Sequence, residues 1–67
     1  MEPQPYIRLD QFMKFIGWVA SGGEAKHLIQ EGQVQVNGEV DTRRSHKLHT
    51  GDRVAFMGRE AVVDITR

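Results

Sequence analysis

The sequence predicts an α+β fold: two N-terminal helices packed on a small antiparallel sheet. Three observations carry that prediction. Leu9, Phe12, Met13 and Ile16 recur at the i, i+3, i+4, i+7 spacing of one helical face. Val34 and Val36 alternate with Gln33 and Gln35, the period of a half-buried strand. Between and after these runs, glycines stand where helices stop and hairpins turn.

Taken in order, residues 1–6 read as a flexible arm, with two prolines and little apolar content. Tyr6 is its expected docking point. Helix one is predicted near 10–16, capped by Asp10 and ended by Gly17. Phe15 falls off its main stripe and is expected to pack against the second helix. Helix two is predicted near 22–31. Ser21 and Glu24 have the spacing of a capping box, in which each side chain accepts the other's backbone amide. Ala25, Leu28 and Ile29 form its buried face, Gly32 is its left-handed stop, and Lys26, His27 and Gln30 face solvent. Asn37-Gly38 predicts a type I′ hairpin turn, since both residues tolerate positive φ. Glu39-Val40 then begins the return strand. Thr50-Gly51-Asp52 is a second turn, Arg53 to Phe56 another strand, and Met57-Gly58 a turn into a final strand near Ala61 to Ile65.

A chain of 67 residues supports one small core, placed here in a single domain over 7–67. It contains no cysteine, which excludes disulfides and thiolate chemistry. The first residues have no signal-peptide character, and no apolar run approaches the length of a membrane span. The expected location is the cytoplasm, with no membrane partner. Nine Lys and Arg balance nine Asp and Glu. Zero net charge argues against indiscriminate polyanion binding, but the charges are segregated: Arg43, Arg44 and Lys47 lie together with only Asp41 close by.

Two constellations could bind an anion. At the start of helix two, the amides of Gly22, Gly23 and Glu24 point out of a positive helix end, and the glycines allow close approach. Equally, Ser21 and Glu24 could simply satisfy those amides as a cap. The second constellation is cationic: Lys14, Lys26, Arg43, Arg44 and Lys47. A solvated surface is the plain alternative for any one of them. His46 and His49, with His27 elsewhere, lack a third ligand at a suitable spacing, so no metal and no cofactor are expected. A protonated histidine beside phosphate would strengthen binding at mildly acid pH. No nucleophile motif, Walker-type loop or carboxylate pair is present, and the chain is not expected to be an enzyme.

One stretch resembles a known family. Arg8-Leu9-Asp10, Ser21, Ala25, Ile29, Gly32-Gln33-Val34-Gln35-Val36-Asn37-Gly38 and Gly51-Asp52 are similar to the αL RNA-binding motif of small-subunit ribosomal protein S-four and its relatives. The resemblance spans roughly Ile7 to Phe56 and points to a small stand-alone bacterial member. It implies a non-enzymatic, monomeric protein that binds structured RNA, ribosomal or transfer RNA first, and associates with the ribosome. The RNA would lie across the two helices and the adjoining loop. Site residues implied or compatible are Lys14, Ser21, Gly22, Gly23, Lys26, Arg43, Arg44 and Lys47. The family usually has Arg after the helix-starting Ser, where this chain has Gly22. Arg8 matches the family's leader Arg, with a salt bridge to Asp10 or Asp52 as its structural alternative. Trp18 is expected to close the core rather than stack on a base, and Phe12, Phe15 and Phe56 to be core. The aromatics do not interleave with the basic residues, so a stacking platform is not indicated. The rival reading is a protein-interaction module that has lost RNA binding, which an exposed apolar patch around Trp18 would favour.

Overall fold

Leu9, Phe12 and Met13 are buried on one side of the first helix, as their spacing requires, but the helix begins earlier than the sequence suggests. The computed structural model describes residues 5–65. Its elements run β1 (Ile7–Arg8), α1 (Leu9–Phe15), α2 (Gly22–Gln30), β2 (Val34–Val36), β3 (Glu39–Val40), β4 (Lys47–Leu48), β5 (Arg53–Phe56) and β6 (Arg59–Val62). Residues 1–4 of the expected arm, and residues 66–67, lie outside the described part.

Asp10 was expected to cap α1, and instead it lies within the first turn, with Arg8 at the N-cap. The cause is tertiary. The amides of Leu9 and Asp10 donate to the carbonyls of His46 (2.9 Å) and Arg44 (3.1 Å), so a distant loop satisfies donors a helix start leaves open. The Asp10 carboxylate accepts from the Gln11 amide at 2.8 Å and pairs with Arg8 Nε at 3.4 Å. Of the two expected partners of Arg8, Asp10 is the one it meets.

Both helices end in the same way. Gly17 and Gly32 adopt positive φ, 83° and 79°. The Trp18 amide reaches back to Met13 and the Gly17 amide to Lys14; Gln33 and Gly32 do the same to Leu28 and Ile29. This double closure is the Schellman arrangement.

The strands form a four-stranded antiparallel sheet, β3-β2-β5-β6, and a separate two-stranded pair, β1-β4. Asn37 and Gly38 both have positive φ, 53° and 87°, and Val36 pairs with Glu39 across them, as a type I′ hairpin requires. The final strand starts sooner than expected, at Arg59. Met57-Gly58 is itself a two-residue turn with positive φ at both positions, so Phe56 pairs directly with Arg59.

The core joins helices and sheet through Leu9, Met13, Ala25, Ile29, Val34, Leu48, Val54 and Val63, all buried. Each large side chain so buried contributes about 1.5–3 kcal/mol. Trp18 closes the core: its ring lies 5.8 Å from that of Phe56, and it packs against the buried cluster. Phe15 does not join them. It is 76% exposed, because α1 turns its buried stripe inward and leaves this position on the opposite side. Among the described residues no helix is long and apolar enough to cross a membrane.

Candidate nucleic-acid interface

The loop between β3 and β4 carries the expected basic cluster, and its shape is set by Asp41. This carboxylate is buried. It accepts the Arg43 amide at 2.9 Å, Arg43 Nε at 3.3 Å and a further Arg43 nitrogen at 3.4 Å, and it meets His46 Nδ1. Burial is the largest influence on Asp41 and favours the neutral acid. The Arg43 amide and guanidinium, with His46, together outweigh it and hold the carboxyl below its ordinary value. The Asp41 amide donates to Val34, tying the loop to the sheet.

Arg43 is therefore a cation with a partner, although its side chain remains exposed. Arg44 lends its carbonyl to α1 and leaves its side chain exposed. Lys47 lies opposite Arg8 in the β1-β4 register, and its Nζ sits 5.0 Å from the Tyr6 ring centroid. Tyr6 is thus docked, as expected, against Lys47 and the His49 ring.

At the start of α2, the Ser21 hydroxyl accepts the Glu24 amide at 3.2 Å. Glu24 does not complete the expected reciprocal box at Ser21. Its carboxylate accepts the Ala20 amide, one residue earlier, at 2.8 Å. The acid folds back over the helix entry, a half-cap that a phosphate would have to displace or skirt. A Cβ built at Gly22 would meet nothing within 4 Å, and its φ is not positive. The departure at Gly22 is thus no steric necessity of the fold. Lys14 and Lys26 are exposed on α1 and α2.

The structure joins the basic loop to the start of α1. It places Ser21, Gly22, Gly23 and Lys26 on a second element, reached through the connection that follows Lys14. The histidines have ordinary partners: His46 on Asp41, and His27 Nε2 on Glu31 at 2.8 Å. No group of three His, Cys, Asp or Glu suited to a metal occurs among the described residues.

The model of the S4 domain family matches residues 3–64. The chain belongs to the S4 domain family. Among its S4 relatives, YbcJ of Escherichia coli (strain K12), provisionally named an RNA-binding protein, is 42% identical over 59 residues, 88% of this chain and 84% of YbcJ. RlbA of Bacillus subtilis (strain 168), provisionally named a ribosome maturation protein, is 46% identical over 52 residues, 78% of this chain and 73% of RlbA. The solution structure of YbcJ from E. coli, described as revealing an αL motif involved in RNA binding, matches with a TM-score of 0.66 and 39% identity, over 92% of this chain and 78% of that one. This S4 domain has the α+β architecture expected of it.

Sequence reasoning missed two parts of the site. Asp41 and His46 shape the basic loop, and the lone acid beside three cations was the available signal. Phe15, expected to pack against the second helix and to be core, is surface.

Proposed function

We propose that this S4 domain is a non-catalytic, cytoplasmic protein that binds structured RNA, with ribosomal RNA as the target. One observation supports this above the others: the basic loop is hydrogen-bonded to the first amides of α1. Arg44 and Lys47 thereby stand beside Arg8 at one end of a helix that carries Lys14 near the other. An ordered row of cations is what phosphate positioning requires, since such contacts set affinity and register without reading bases. Lys26 and the half-capped α2 start extend the surface to the second helix. The name of RlbA supports a ribosomal target.

Crosslinking the protein to RNA in cells and sequencing what is attached tests the target, and enrichment of ribosomal RNA is expected. In vitro, replacing Lys14, Lys26 and Arg44 together with Ala should leave the fold intact and weaken RNA binding. The slope of log affinity against log salt should fall by a little under one per lost phosphate contact. An unchanged slope removes these residues from the phosphate surface.

The rival is a protein-interaction module. It is favoured by a cleft of about 400 Å³ walled by Trp18, Leu28, Phe56 and Met57, with Glu24 and Arg59 also lining it. Recovery of no RNA above background in the crosslinking experiment selects that reading.

A further inference from the structure

We propose that the outward face of α1 receives an unpaired nucleotide of RNA, with the Phe15 ring as the stacking surface for its base. This rests on the RNA-binding reading and deepens it, by naming the part of the RNA held and the side chain that holds it.

Phe15 is 76% exposed, whereas Phe12 and Phe56 are buried and Trp18 is packed on Phe56. Arg8, Gln11 and Phe15 follow the i, i+3, i+7 spacing and form one stripe, with Lys14 flanking it; all four are exposed. The stripe is about 10 Å long at the helical rise of 1.5 Å per residue. Its first end is cationic, since Arg8 lies opposite Lys47. Asp10 is the acid of α1, and it is buried and paired with Arg8, so the helix offers the stripe no exposed carboxylate.

An exposed aromatic ring on a stripe that also carries Arg8 and Lys14, on a helix with no exposed acid, suits a base with phosphates on either side. Stacking accepts any base face, while Arg and Lys hold the flanking phosphates. The base must be unpaired, because in a duplex its faces are already stacked within the helix. A protein partner would need an apolar surround for the ring, and here the neighbours on the helix are Gln11 and Lys14.

The test titrates two labelled RNAs, a hairpin with a single-stranded loop and a blunt duplex of equal length, over a salt series. The proteins are wild type, Phe15→Ala, Phe15→Tyr and Lys14→Ala. Phe15→Ala should bind the hairpin about tenfold more weakly, equivalent to 1.4 kcal/mol, with the salt slope and thermal stability unchanged. Its duplex binding should not move, and Phe15→Tyr should behave as wild type. If Phe15→Ala binds the hairpin as wild type does while Lys14→Ala weakens it, the stacking proposal falls and RNA binding stands. An equal loss on hairpin and duplex also overturns it, since the contact would not be to an unpaired base. Failure of the wild-type protein to bind either RNA overturns both readings.

Discussion

At the scale of single residues, Asp41 and Gly22 decide how the candidate surface behaves. Asp41 has its ionisation favoured by Arg43 and His46 against the opposing effect of burial, and its pKa lies below the ordinary 3.8. A lowered folded-state pKa stabilises the protein fully above the unfolded value, and that contribution is lost as pH falls through the folded one. Asp52 is shifted the same way, chiefly by the His49 amide and further by Asn37, against burial. Stability measured by urea unfolding should therefore be insensitive to these acids at neutral pH and fall on acidification below 3.8. Asp41→Asn should show a shallower acid loss; an identical profile would show that the loop cluster does not contribute. At Gly22, the room for a Cβ and a φ that is not positive let Gly22→Arg enter without backbone strain. The added guanidinium should tighten RNA binding by about 1 kcal/mol if it makes a charge-assisted hydrogen bond. Its effect on helix stability should be smaller than the roughly 1 kcal/mol expected from replacing glycine, because a cation opposes the positive helix end. Titration of both proteins at matched salt checks the sign. Weaker binding at unchanged stability would mean that the RNA backbone approaches too closely for any side chain.

At the scale of elements, the two tight turns are the sensitive joints. Asn37-Gly38 has the residue types that a type I′ turn favours, and Asn37 adds bonds to Asp52 and to the Arg53 amide. Gly38→Val should destabilise the domain by on the order of 1 kcal/mol or more, since a β-branched residue resists its φ of 87°. Met57-Gly58 makes the same kind of turn with a poorer first residue. Met57 sits at φ 49° and is 72% exposed. Met57→Asn should raise stability by roughly 0.5–1 kcal/mol, because Asn tolerates the left-handed region. Thermal unfolding of the two variants should move in opposite directions. A fall for Met57→Asn would show that the Met57 side chain contributes to the cleft beside Trp18 more than its backbone costs.

At the scale of the whole molecule, zero net charge is compatible with a charged face, because placement and not the sum sets the local potential. Arg44, Lys47 and Arg8 are gathered by one joint, where the loop before β4 meets the start of α1. In the RNA-binding reading proposed above, this is the side of the molecule that meets RNA. Binding should therefore prefer structured RNA over duplex DNA of matched length. Competition between the two at one salt concentration measures the preference. Equal affinity would reduce the interaction to general polyanion attraction.

The sequence by itself determined the features that rest on neighbours along the chain. Both helix stops at Gly17 and Gly32, the Ser21 cap, the Asn37-Gly38 turn and the alternation of Val34 and Val36 depend on local φ and on side-chain period. Only the tertiary structure decided where α1 begins, because His46 and Arg44 supply its first acceptors from more than thirty residues away. It alone paired Ile7 and Arg8 with Leu48 and Lys47, strands too short to carry any period. It also turned Phe15 outward and tied Arg43 to Asp41. Composition treats every phenylalanine as core and every arginine as free. Burial and pairing are properties of the packed chain, and they sort these residues into those that hold the fold and those that stand open to a partner.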